Sequence, residues 1–270
     1  MEYEAQKVGE VKGLGIIYRA DAPLNRQLEA FEKVGINTLA TPEEVAQIRL
    51  ADIADNWSRT NMAPIARKGA KTILVRNSPL MNSLMAVSAV KAHSNSEYPT
   101  MGKEVYEAAE AIAINQTGIE PEDRSAILLS KEGDLDLTSE MDETRFVLGR
   151  SATPYFVKFV KGGKEGKIHF YNLSGTSKDK TDVNYLWFGY PLVESGLAAG
   201  DWGLYDDYGA FGVLGSAEGS ARKNGYTLTE IAKANSEVIP VVFEKAKVPG
   251  LASMVSRDLN QSLLAKLRKQ

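Results

Sequence analysis

The amino-acid sequence predicts a mixed α+β fold, and three observations carry the prediction. Apolar residues at helical spacing alternate with short runs of strand composition. A strand, two helices and a strand follow one another between residues 71 and 129. The stretch 145–219 is rich in β-type residues, aromatics and glycine. The chain has 270 residues, 43% hydrophobic and 25% charged, enough for a sizeable core in an ordinary globular protein.

Residues 1–40 read as an extended arm and a short helix, and 41–270 as a single mixed domain with a β-rich subdomain at 145–219. Leu24, Leu28, Phe31 and Val34 share one helical face after Pro23, and Gly35 stops that helix. Thr41-Pro42-Glu43-Glu44 predicts a helix start, with Thr as cap, Pro in the first turn and two acids complementing the dipole. Ala46, Leu50, Ile53, Ala54 and Trp57 are its expected buried face, and 56–69 is an expected connection.

Next come a strand over Lys71–Arg76, a turn at Asn77-Ser78-Pro79 and an apolar helix carrying Leu80, Met81, Leu84, Met85 and Val87. A helix from about Met101 to Thr117, burying Val105, Ala108, Ala109 and Ile112, ends at Gly118 before a strand over Ser125–Leu129. Arg145–Val160 and Lys167–Leu173 read as two strands joined by a Lys-Gly hairpin turn at 161–166. Two further strands are expected at Tyr185–Pro191 and Leu204–Leu214. Thr227-Leu228-Thr229-Glu230 fits a capping box, Pro240 marks an edge strand at 239–243, and Leu251, Val255, Leu259, Leu263 and Leu267 stripe a C-terminal amphipathic helix.

Charge is sorted along the chain although the net charge is only −3. From Asn56 to Ser96 there are six bases and no acid; from Glu97 to Arg145 there are 13 acids and four bases; from Phe146 to Lys180 there are seven bases and two acids. Residues 181–219 hold no Lys or Arg. Such sorting sets where anions and cations are welcome on a surface.

Composition also excludes chemistry. A cysteine-free chain has no disulfides, thiolate metal sites or thiol catalysis. Its two histidines, His93 and His169, have no metal-ligand spacing, and no nucleophile elbow or phosphate-binding loop is present. The run Asp134, Asp136, Thr138, Glu140, Asp142 has calcium-loop spacing but lacks the sixth-position glycine, and Arg145 replaces the final glutamate; outward-facing acids fit better. No catalytic residue, metal or cofactor is expected. No apolar run approaches the roughly 20 residues of a membrane helix and no leader is evident, so the expected setting is cytoplasmic, or a virion, with no membrane partner.

Three constellations remain. Arg67, Lys68, Arg76, Asn77 and Ser78 form an expected anion site, with a turn feeding a helix N-terminus. Lys158, Lys161, Lys164 and Lys167 surround a glycine-rich turn, with Tyr155, Phe156, Phe159, His169, Phe170 and Tyr171 nearby. That mixture suits phosphates and unstacked bases. Asp201 and Asp206 stand among aromatics as a possible acid–base pair. The reading is a non-enzymatic self-assembling or binding protein, a homo-oligomer contacting RNA, DNA or another polyanion. A viral structural subunit or a ribonucleoprotein backbone subunit fits it. The alternative is an enzyme on a phosphorylated or carbohydrate substrate, using Asp201 and Asp206.

Overall fold

The computed structural model describes residues 3–53, 57–76, 100–189, 196–199 and 208–215. All of them lie in one compact unit, Met1–Gly215. The expected Asn77-Ser78 turn, the helix at 80–93 and every element after residue 215 lie outside the described residues.

The chain opens with β1 (Gln6–Val11) and β2 (Gly15–Ala22), an antiparallel hairpin. Gly13, at φ +80°, makes the reversal that a side chain would resist. Residues 6–22 thus form a hairpin where the sequence suggests an extended arm. Ile17, Ala20 and Ala22 are buried along β2, and Ile17 and Ala20, three residues apart, lie on opposite faces, so both faces of this strand meet apolar neighbours. α1 (Leu24–Lys33) follows Pro23 as expected, and Gly35, at φ +81°, ends it.

α2 (Pro42–Leu50) begins where Thr41 predicts. The Thr41 hydroxyl accepts from the Glu44 N–H at 3.1 Å, while the Glu44 carboxylate accepts from the Thr41 N–H at 2.8 Å. The helix stops at Leu50 rather than running to Trp57, because Asp52 turns left-handed at φ +57°. Its inward face is Val45, Ala46, Ile48 and Arg49, not the face through Leu50. The expected connection at 56–69 contains β3 (Ser58–Arg59) and β4 (Ala63–Ala66), both buried.

β5 (Ile73–Val75), β6 (Thr100–Gly102), α3 (Lys103–Asn115), β7 (Ala126–Leu128) and β8 (Leu135–Leu137) come next. α3 buries Tyr106, Ala109 and Ala113, a face rotated from the predicted one, and Gly118 follows at φ +100°.

The region expected as a strand from 145 to 160 is helical: α4 (Asp142–Leu148), a single 3-10 turn and α5 (Ala152–Phe159). Phe146, Val147, Ala152, Tyr155, Phe156 and Val160 are all buried, so packing overrides the strand preference of their side chains. Each fully buried Phe there contributes about 1.5–3 kcal/mol. Gly149, at φ +55°, lets the chain pass the Glu43 carboxylate, which accepts from the Arg150 N–H at 3.1 Å. The remaining elements are β9 (Ile168–Tyr171), β10 (Lys180–Val183), β11 (Trp187–Phe188), β12 (Gly196–Ala198) and β13 (Tyr208–Leu214).

Among the described residues the strands form two sheets. One runs β1-β2-β13-β3-β11-β12-β9-β8, the other β6-β10-β4-β5-β7. The mixed class therefore holds. β5 and β7 pair antiparallel, Ile73 opposite Leu128. One core gathers Ile17, Val45, Ile48, Phe146, Phe156, Phe170, Phe188 and Phe211 with Leu74 and Ile127. The other joins Leu24, Leu28, Phe31 and Trp187 to Ile65, Ile73 and Tyr106. Among the described residues no helix is long and apolar enough to cross a membrane.

Candidate functional site

The two arginines of the expected anion site at 67–78 each engage aromatic rings and polar groups of the fold. Arg67 lies over the Tyr106 ring at 5.2 Å and reaches Glu107 at 3.5 Å. Burial beside Glu110 raises the Tyr106 hydroxyl to about 12, partly offset by Arg67, and that hydroxyl donates to the Lys71 carbonyl at 2.6 Å. Arg76 stacks on Phe146 at 4.4 Å and donates to the carbonyls of Glu122, Arg124 and Phe146. Burial lowers its pKa, opposed by Glu43, Asp123 and Glu122. Both guanidiniums thus join elements of the fold. Asn77 and Ser78 lie outside the described residues. Lys68 is exposed, and its N–H donates to the Ser177 carbonyl at 3.0 Å, which sets it beside the segment carrying exposed Lys178.

The second basic group divides. Lys158 is held by Asp52 at 2.7 Å and the Leu50 carbonyl at 2.9 Å, so it ties α5 to the end of α2. Lys161 and Lys164 are exposed on the turn between α5 and β9, and neither ammonium has a partner among the described residues. The turn joins a helix to a strand, not two strands, and Gly162 and Gly163 adopt φ +93° and +61° within it.

After that turn, the strand alternation of β9 puts Lys167, His169 and Tyr171 on its outer face, while Ile168 and Phe170 point into the core. The neighbouring β8 does the same with Asp136 outward and Leu135 and Leu137 inward. His169 Nδ1 lies 3.0 Å from Asp136 Oδ1 and its Nε2 3.7 Å from Asp134 Oδ2. Tyr171 meets the imidazole edge-on with ring centres 4.4 Å apart, and Lys167 Nζ is 4.0 Å from Asp136. The His169 hydrogen bond, with the charges of Lys167, His169 and Lys131, holds Asp136 below its ordinary value against a smaller desolvation effect. Asp134 also accepts from the Asn172 N–H at 2.8 Å, which fixes the end of β9. Of the predicted aromatics, Phe156 and Phe170 are core, and His169 and Tyr171 are surface.

The result is an outer face of two rings and one ammonium, flanked by two carboxylates and preceded by two lysines without a partner among the described residues. The outward acids at 134–136 follow the alternation Asp134-Leu135-Asp136-Leu137, but nothing in the sequence pairs them with His169 across 33 residues. No group of three or more His, Cys, Asp or Glu able to hold a metal exists among the described residues. Asp201 and Asp206 lie outside them, as does Trp202.

No protein-family model and no curated protein matches the chain. Among solved structures, the fold is similar to that of a protein described under "Accommodation of massive sequence variation in Nanoarchaeota by the C-type lectin fold". The two superpose with a TM-score of 0.51 at 14% identity, covering 78% of this chain and 98% of that one. At that identity the likeness is one of fold, and the fold of this chain is similar to the C-type lectin fold.

Proposed function

We propose that this chain is a non-enzymatic binding protein that contacts a polyanion, single-stranded nucleic acid foremost, through the outer face of β9 and the lysine turn before it. The observation carrying this reading is the juxtaposition of exposed Lys161 and Lys164 with a strand face bearing Lys167, His169 and Tyr171. Lysines on an exposed turn attract phosphates, and exposed rings on a strand stack on bases, so one ligand engages both. Asp134 and Asp136 offset the charge of Lys167 and His169, which leaves the rings as the main asset of the strand and Lys161 and Lys164 as the main source of charge. The fold supports a binding role: it is similar to the C-type lectin fold, which is described as accommodating massive sequence variation, and a frame that tolerates sequence change suits recognition.

The test is binding of a fluorescent single-stranded 20-mer at several salt concentrations. Replacing Lys161, Lys164 and Lys167 together by Ala lowers the slope of log K against log salt by about 2, from roughly 0.7 per lost phosphate contact. Tyr171→Ala weakens the same oligonucleotide by about tenfold, since a stacked base is worth about 1–3 kcal/mol, but leaves heparin binding unchanged. An unaltered slope removes the lysine turn from the function, and absence of oligonucleotide and heparin binding by the unaltered protein overturns the reading.

A further inference from the structure

We propose that β1 is the seam of a two-fold homodimer, in which it pairs antiparallel with β1 of a second copy. The inference stands independently of the polyanion reading, because none of its residues lies on β8, β9 or the lysine turn.

β1 ends the eight-stranded sheet, so one side of its backbone has no neighbouring strand among the described residues. Gln6, Lys7, Val8 and Glu10 are exposed, and Val8, at 39%, is a large apolar side chain facing water at the middle of that edge. An open edge strand is a template for another strand. A bulge and a lysine often guard such edges, and β1 has both, yet the bulge here works the other way.

The register with β2 runs Gln6 opposite Arg19 and Lys7 opposite Tyr18, then resumes with Gly9 opposite Ile17 and Glu10 opposite Ile16. Val8 is therefore the extra residue. In a regular strand, positions 7 and 10 point to opposite faces. With Val8 inserted, Lys7 and Glu10 sit opposite Tyr18 and Ile16, two residues apart on β2, and so share one face. Neither makes an ion pair or side-chain hydrogen bond among the described residues.

Two-fold antiparallel pairing centred between Val8 and Gly9 sets Lys7 beside the partner's Glu10 and Glu10 beside the partner's Lys7. It also sets each Val8 beside the partner's Gly9, and Gly9 carries Ile53 of its own chain over its side-chain position, an apolar neighbour for that valine. The edge thus carries its own complement. A strand edge with one sign of charge would repel its copy; this one repeats an attraction twice.

Light scattering on a sizing column, over a range of protein concentrations, tests this with four proteins. The unaltered chain runs at twice its 29.4 kDa mass. Lys7→Glu and Glu10→Lys each replace two attractions by two like-charge contacts and weaken dimerisation by at least about tenfold. The double variant Lys7→Glu/Glu10→Lys regains the dimer, and an equimolar mixture of the two single variants forms a heterodimer. Circular dichroism shows that all four fold alike, since both side chains are exposed. A monomeric unaltered chain at about 100 μM overturns the proposal, as does the same mass for all four proteins.

Discussion

Between Arg59 and Arg76 the chain carries five bases and no acid, and between Lys158 and Lys167 four bases and one acid. As charge patterns the two stretches are alike, and the fold treats them differently. Arg59 is fully buried, with its guanidinium 4.8 Å above the Trp187 ring and donating to the Ala22 carbonyl at 2.9 Å and Gln27 at 3.0 Å. Arg67 and Arg76 lie on aromatic faces in the same manner. Lys161 and Lys164 point into water. A guanidinium is planar, weakly hydrated and rich in donors, so it can stack on a ring and satisfy several carbonyls at once; an ammonium holds its water more tightly. The lesson is that the kind of base, more than the number, tells whether a basic stretch builds the fold or faces a partner.

The largest test of this contrast is Arg59→Ala. It removes the charge-assisted hydrogen bonds to Ala22 and Gln27 at the junction of β2, α1 and β3 and opens a void under Trp187. Urea unfolding gives a loss of about 3 kcal/mol. A loss below 1 kcal/mol would mean that the buried guanidinium contributes no more than a surface charge does. Arg76→Lys comes next, at about 1–2 kcal/mol, because a lysine keeps the charge but cannot serve the Glu122, Arg124 and Phe146 carbonyls together. Full rescue by Lys would show that charge alone matters there and would undo the contrast.

Arg145 sharpens the comparison from between the extremes, as a half-buried arginine that acts through carboxylates. It bonds Glu122 at 2.8 Å and Glu120 at 2.6 Å, and both contacts raise its own pKa. Partial burial pushes Glu122 upward, but the Arg145 hydrogen bond, a backbone hydrogen bond and the charges of Arg145 and Arg76 outweigh it, leaving Glu122 below its ordinary value. A carboxylate held low when folded contributes stability above its unfolded pKa and loses it as the pH falls through the folded one. Arg145→Gln is therefore less stable than the unaltered chain at neutral pH, and the two converge as Glu122 protonates below the ordinary carboxylate range. Acid unfolding followed by circular dichroism reads this as an earlier onset in the variant; identical acid limbs would remove the pair from the account.

Local chemistry was legible in the sequence wherever a backbone rule governs it. Thr41 with Glu44 starts α2, Pro23 and Gly35 bracket α1, and the alternation of Asp134 to Leu137 turns its acids outward. What stayed hidden depends on partners distant in the chain. Arg145–Val160 has strand-forming side chains, and only burial against α2 and the first sheet makes it helical. β2 sits inside a sheet because β13, far along the chain, pairs with it from Tyr208 opposite Ala22 to Leu214 opposite Ile16, while β1 pairs on its other side. At the candidate site, Lys167, His169 and Tyr171 were legible as a basic and aromatic cluster. The Asp136–His169 contact was not, and neither was the withdrawal of Arg67 and Arg76 onto Tyr106 and Phe146.

The smallest expected effect is the one that most directly separates the two stretches. Lys161→Ala and Lys164→Ala remove exposed ammoniums that touch no other described side chain, so each leaves the free energy of urea unfolding unchanged to within about 0.5 kcal/mol. Gly162→Ala in the same turn is the internal control. Its φ of +93° is unfavourable for any side chain, and the same assay registers a loss of about 1 kcal/mol. A turn whose backbone is stability-critical while its lysines are stability-neutral holds those lysines out for something other than the fold. Were Lys161→Ala to cost as much as Gly162→Ala, the lysine turn would belong with Arg59 and Arg76 among the parts that build the protein, and the contrast between the two basic stretches would collapse.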